Sequence, residues 1–213
     1  MPKPGEHNIF ERFPALKTVE KNFLRAFESL RATAAARGTI FTCGNGGSAA
    51  DADHIVAELM KGFISKRRLS EKETIPFVNA LGPVEGRKIA ESLQGGFKAL
   101  SLTGHPALAT AFANDENPDM VFAQQLHVLG NRGDALIAIS TSGNSENVLN
   151  AIKTAKAENI TSIALTGAGG GKCAENADIL IAVPETETYK AQELHLPVYH
   201  ALCAMLEEEF YGG

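Results

Sequence analysis

Cysteine is scarce in this chain of 213 residues, and the three present, Cys43, Cys173 and Cys203, are widely spaced and odd in number. That argues against a disulfide framework and for reduced thiols in a cytosolic protein. The cysteines match no zinc-ligand spacing, and Cys43, at the end of an apolar run, reads as buried packing. Positive charge is not in excess. The formal net charge is −5 with both signs interspersed, which argues against nucleic acid as a partner. The one compact basic cluster, Lys66-Arg67-Arg68, reads as a solvated loop sooner than as a binding patch. No stretch reaches the ~18 apolar residues that span a bilayer, and Lys3, Glu6 and Glu11 interrupt any leader-like run. The expectation is a cytoplasmic protein with no membrane partner.

What is present has the pattern of one large α/β domain. Hydrophobic residues make up 44% and charged residues 21%, enough for a sizeable core in a chain of this length. Residues 2–14 look irregular. Leu16, Val19, Phe23, Phe27 and Leu30 then recur at helical steps, predicting an N-terminal helix over about 15–37 that stops at Arg37-Gly38. Short apolar runs at 39–43, 99–103, 134–139, 161–165 and 179–183 read as strands. Helical patterns at 48–60, 84–93, 107–113, 118–129 and 146–157 alternate with them, and a long one at 188–210 closes the chain, disturbed at Pro197. The charged stretch 65–74 is expected to be exposed, and Ile75-Pro76-Phe77-Val78 to be an edge strand or extended loop. Alternating strands and helices imply a mainly parallel sheet covered on both faces.

Two polar loops stand out because each follows an apolar strand and launches a helix. The first is Cys43-Gly44-Asn45-Gly46-Gly47-Ser48 and the second Ser140-Thr141-Ser142-Gly143-Asn144-Ser145. In open α/β sheets ligands bind at the carboxyl ends of strands, and a helix N-terminus offers unpaired N–H groups and partial positive charge to an anion. Hydroxyls add donors without bulk. The second loop therefore suits a phosphate. The plainer alternative is turn chemistry, with Ser145 as the N-cap of the next helix. The first loop lacks both the Gly-x-Gly-x-x-Gly spacing of a dinucleotide site and the Gly-Lys-Ser/Thr ending of a P-loop.

Taken with the pair Asn114-Asp115 and with Gln192-Glu193-Leu194-His195 and His200, these loops resemble the sugar isomerase (SIS) domain family, and within it the phosphoheptose isomerase branch. The resemblance runs from about residue 15 to the C-terminus. It implies a single three-layer α/β/α domain of flavodoxin-like type. It implies that Ser140, Thr141, Ser142 and Ser145 hold a substrate phosphate, while Gly44, Asn45, Gly46, Ser48, Asn114, Asp115 and Gln192 meet the sugar. Glu58 and His200 would form the acid–base pair. His54, Glu58, Gln192 and His200 would hold one zinc ion per subunit, and the partners would be a phosphorylated sugar and further copies of the chain, in a homotetramer with sites at subunit interfaces. The implied reaction is an aldose–ketose isomerisation, sedoheptulose 7-phosphate to a heptose 7-phosphate. Alternatives are an isomerase of another ketose phosphate, or a non-catalytic SIS module acting in regulation or replication initiation.

Three departures accompany the resemblance. Gly62 stands where the family often has Arg before an aromatic residue, and Tyr189 where many members have Asp. Residues 64–97 form a segment roughly 28 residues longer than usual, and loops of such length are often functional. On spacing, His54 and Glu58, four apart, share one helix face. Gln192 and His200, eight apart, would be about 12 Å apart along a straight helix, so both reach one metal only through an irregular stretch or from different subunits. Gln is also an uncommon zinc ligand. A lone His on a helix is more often structural, and His195 is assigned no role.

Overall fold

A computed structural model of the protein describes residues 9–212. Two short helical pieces come first: α1 (Ile9–Arg12) and a 3-10 turn at Pro14–Val19. They are followed by α2 (Glu20–Ala35) and β1 (Ile40–Cys43). Next are α3 (Gly47–Met60), α4 (Glu71–Leu81), α5 (Pro83–Ser92), β2 (Ala99–Ser101) and α6 (Pro106–Asp115). A 3-10 turn at Pro118–Met120 leads into α7 (Val121–Leu129), β3 (Ala135–Ser140) and α8 (Glu146–Ala157). The chain ends with β4 (Thr161–Thr166), α9 (Cys173–Asn176), β5 (Ile179–Ala182) and α10 (Thr188–Tyr211).

The five strands are all parallel, in the order β2-β1-β3-β4-β5. This is the flavodoxin-like order, and its topological switch lies between β1 and β3. The two polar loops leave those two strands, so they flank the crevice where such sheets bind ligands. Side chains alternate across the sheet. Ile40, Ile137 and Ile139 pack with Phe23, Phe27, Ile55, Leu59 and Leu202 on one face. Phe41, Leu136 and Ala138 pack with Phe122, Leu126, Val148 and Ile152 on the other. Both faces are buried, which is why the strands read as continuous apolar runs. All three cysteines are free and buried. No helix among the described residues is long and apolar enough to cross a membrane.

Five expectations are corrected. Residues 75–78 are not extended; they lie inside α4, which starts at a capping box in which Ser70 and Glu73 satisfy each other's backbone N–H. Pro76 is tolerated because the hydrogen bond it removes belongs to the carbonyl of Lys72, an exposed residue. The stretch 65–74 is not uniformly exposed, since Arg67 is buried. α10 is helical straight through Pro197, whose missing partner is the carbonyl of exposed Glu193, while Val198, Ala201 and Leu202 hold the helix to the core. The N-terminal helix is divided, with 3-10 geometry to Val19, and Ile9–Arg12 is helical, not irregular. Residues 1–8 and 213 lie outside the described part.

The segment 64–97 becomes a helical hairpin. α4 and α5 pack chiefly on each other, and Gly86 lets them meet, since a Cβ there would come within 2.5 Å of the Phe77 carbonyl oxygen. The hairpin is pinned at its base: the Gly62 N–H donates to Gln94 Oε1 at 2.7 Å, the Gly95 N–H to the Arg67 carbonyl at 2.7 Å, and Arg68 pairs with Gln94 in an antiparallel bridge.

Candidate active site

The first loop turns tightly at the end of β1. Gly46 has φ +56°, and a Cβ on Gly44 would stand 2.5 Å from the carbonyl oxygen of Ser48. Both positions therefore need glycine. Ser48 is buried in the first turn of α3, and Asn45 is exposed at the loop tip.

α3 then carries Asp51, His54 and Glu58 along the face that meets α10, which supplies Tyr199, His200 and Cys203. His54 Nε2 lies 3.2 Å and His200 Nε2 3.1 Å from the same oxygen, Glu58 Oε1. Glu58 is only 4% exposed. The distances suit charge pairing, yet neither Glu58 oxygen nor His200 Nε2 has a hydrogen bond of acceptable geometry. Burial raises the Glu58 carboxyl above its ordinary value, partly offset by His54, the Cys203 thiol and the nearby Lys61 and Arg67 charges. Burial lowers His200, and His54 and Arg12 push it the same way, so neutral imidazole is favoured there.

The other nitrogen of His54 settles its tautomer. Tyr199 OH donates to Asp51 Oδ1 at 3.1 Å and stands 3.0 Å from His54 Nδ1. A hydroxyl has one proton to give, so with that proton on Asp51 the Nδ1 must be the donor. Nε2 of a neutral His54 then turns a bare lone pair toward Glu58 Oε1. Two lone pairs at this distance repel unless a cation or proton lies between them. The exposed His54, the half-buried His200 and the buried Glu58 each offer one ligand atom, all within 4.8 Å of one another, and Glu58 Oε1 and His200 Nε2 are buried without a well-placed hydrogen-bond partner. Two imidazole nitrogens and a carboxylate oxygen are a donor set that fits a divalent transition metal such as zinc.

Gln192 is not brought into this cluster within one chain. It packs on the start of α3, where a Cβ on Gly47 would meet its Nε2 at 2.5 Å. Because α10 is continuous, Gln192 and His200 stay about 12 Å apart along its axis.

The second loop caps β3. Ser140 is buried, Thr141 and Ser145 half-buried and Ser142 exposed. The Ser140 and Ser145 hydroxyls are 3.0 Å apart. Ser145 holds the N-cap position of α8, but its hydroxyl makes no capping bond. The turn is shaped from behind by the 167–171 loop. Gly143 has φ +66°, and a Cβ on it would lie 2.0 Å from the Gly170 carbonyl oxygen. Lys172 N–H donates to Asn144 Oδ1 at 3.0 Å and Cys173 N–H to the Gly143 carbonyl at 3.0 Å. The loop thus presents hydroxyls beside the N-terminus of α8 on a fixed backbone, an arrangement that suits an anion.

Asn114 and Asp115 end α6 on an exposed surface, and their side chains bond to each other at 2.8 Å, not to either loop. Sequence reasoning missed Asp51 and Tyr199, which orient His54, and Asn147, which bridges to Asn45. It also missed Arg67 and Glu207 beneath Glu58. Asp51 carried a faint signal, lying three residues before His54 on the same face.

Comparisons with known proteins show the family of the chain. SIS domain family models match residues 7–102 and 121–205. A phosphoheptose isomerase of Rhodospirillum rubrum is 40% identical over 81% of this chain and 78% of its own. One from Akkermansia muciniphila is 36% identical over 96% of this chain and 94% of its own. Among solved structures, phosphoheptose isomerase GmhA from Neisseria gonorrhoeae superposes with a TM-score of 0.74 at 34% identity, covering 94% of this chain and 92% of that one.

Proposed function

This chain belongs to the phosphoheptose isomerase family of SIS-domain proteins, and from that premise we propose that it interconverts sedoheptulose 7-phosphate and D-glycero-D-manno-heptose 7-phosphate. The observation that carries the reading is the buried Glu58 carboxylate set between the His54 and His200 imidazoles. The isomerisation moves a proton from C1 to C2 through an enediol, which asks for one base near both carbons and an acid for the carbonyl oxygen.

Glu58 takes the C1 proton, and the C–H electron pair becomes the C1–C2 double bond. The C2 carbonyl oxygen accepts a proton from His200. The C1 hydroxyl then gives its proton back to the imidazole as Glu58 returns the carried proton to C2. Both imidazoles face Glu58 Oε1, so Oε2 is the oxygen left for proton transfer. His54, Glu58 and His200 would hold zinc, which when bound supplies Lewis-acid polarisation of the substrate oxygens. His200 then has Nδ1 as its free proton donor, because Nε2 is the nitrogen aimed at the cluster. Ser140, Thr141, Ser142 and Ser145, with the N-terminus of α8, bind the phosphate. Gly44, Asn45, Gly46 and Ser48 line the sugar's path, and Asn114 and Asp115 are assigned to the sugar by family resemblance alone.

Assembly completes the reading. Ser48, in the first turn of α3 next to the first loop, and Glu58 are ten residues apart, about 15 Å of rise. That separation, and the distance of Gln192 from His200, favour a homotetramer whose sites lie between subunits, with Gln192 delivered by a neighbouring copy. A cytoplasmic place fits a small phosphorylated substrate, with the product feeding synthesis of nucleotide-activated heptose. NMR of sedoheptulose 7-phosphate in D2O with zinc-loaded protein tests the function: deuterium at C2 of an aldose product is expected, and absence of turnover would sink the assignment.

A further inference from the structure

A charged pair is buried beneath Glu58. The Arg67 side chain is fully enclosed, and its Nε donates to Glu207 Oε1 at 2.7 Å. Its guanidinium lies 5.1 and 5.2 Å from the ring centroids of Phe97 and Tyr211. Its two other nitrogens donate to the backbone at the end of α3: Nη1 to the Leu59 carbonyl at 2.7 Å and Nη2 to the carbonyl of Glu58 itself at 2.9 Å. Glu207 is equally committed. Besides Arg67 it accepts the N–H groups of Phe63, Ile64 and Ser65 at 2.8, 2.8 and 3.0 Å.

We propose that Arg67, held by Glu207, is a positioning residue for Glu58. The last carbonyls of a helix lack intrahelical partners, and a planar fork of donors satisfies two of them while placing positive charge at the negative end of the helix dipole. One of the two belongs to the residue whose carboxylate faces both imidazoles. Glu207 lies seven residues after His200 on α10, two turns along the same side. The pair therefore fixes the end of α3 to the helix that carries His200, and it sets the distance between the elements holding the three donor atoms. It also ties the hairpin to the site, because the Arg67 carbonyl receives the Gly95 N–H at the hairpin's base.

A purely structural pair makes a different prediction. Replacing a buried ion pair by apolar side chains of similar volume often keeps or raises stability, whereas removing one partner strands a charge. The inference rests on the proposed role of Glu58, so turnover and zinc binding are read separately. The double variant Arg67→Met/Glu207→Leu strands neither charge, so it should fold, with a lowered melting temperature because three backbone N–H groups and two carbonyls lose their partners. Its kcat should fall roughly 10- to 100-fold, with KM within about twofold and zinc affinity down roughly tenfold by chelator competition. Wild-type kcat and zinc affinity in a stably folded double variant would overturn the proposal. If the double variant does not fold, Arg67→Lys decides, since it keeps the charge and loses the fork: lowered kcat at unchanged KM supports positioning, and wild-type kcat refutes it. Wild-type protein that binds zinc without isomerising the sugar leaves the proposal to the zinc measurement while sinking the substrate assignment. Wild-type protein doing neither sinks both.

Discussion

Asn45 and Asn147 clasp amide to amide across the sheet's switch point, each side-chain N–H donating to the other's carbonyl oxygen at 2.8 and 2.9 Å. Asn45 belongs to the first polar loop and Asn147 to the first turn of α8. The clasp therefore sets the width of the crevice between them. Asn147→Ala should raise KM for the sugar phosphate several-fold with kcat within about twofold, and cost about 1 kcal/mol of stability, the ordinary net worth of such bonds. Steady-state kinetics with a urea titration checks it, and an unchanged KM would mean the clasp does not shape the crevice.

Ser145 separates phosphate binding from helix capping. A serine that caps loses about 1 kcal/mol on truncation to Ala. Because this hydroxyl faces Ser140 and makes no capping bond, Ser145→Ala should change stability by less than about 0.5 kcal/mol. Affinity for the phosphosugar should still drop roughly tenfold. A large stability loss at unchanged affinity would reverse the assignment.

Tyr199→Phe removes the acceptor that keeps the proton of His54 on Nδ1. Zinc affinity should then fall roughly tenfold, as for other groups that orient a metal's histidine. Competition with a chromophoric chelator measures this independently of turnover. Stripping metal from the wild type with EDTA should lower kcat, and restoring zinc should recover it.

His195 predicts an acid-side loss of stability. It is wholly buried without a hydrogen bond of good geometry, and burial lowers its pKa to about 4, with the Thr166 backbone pulling weakly the other way. The unfolded chain takes up this proton near pH 6.5, the folded one only near pH 4. Stability from this group is therefore complete above pH 6.5 and is lost as pH falls to 4, by about 3 kcal/mol at most. Urea midpoints at pH 7 and 4.5 should show the decline, and His195→Gln should flatten it.

The sheet was legible in the sequence because its strands are buried on both faces, so runs such as Ala135–Ser140 carry a signal that needs no partner to interpret. The setting of the second loop was legible for a similar reason: strand, short hydroxyl-rich loop and helix are consecutive. The second helix of the hairpin was read at 84–93, but the first was not, because Pro76 outweighed a capping box that only the Ser70–Glu73 contact reveals. Arg67 was unreadable in principle from its neighbours. Flanked by Lys66 and Arg68, it has the look of a wet cluster, and the carboxylate that buries it lies 140 residues away. Tyr199 was hidden likewise, as one more large side chain on an apolar helix. Its role depends on Asp51, 148 residues distant.

The hairpin leaves and rejoins the body at one spot, where Arg67 and Arg68 meet Gln94 and Gly95. A chain that returns to its point of departure adds length without altering what lies on either side, so the sheet register is indifferent to how many residues the excursion holds. The tip, at Gly82 with φ +82° between α4 and α5, is accordingly the position at which a fluorescent reporter or a purification handle can be spliced into this protein while α3 and β2 remain in step.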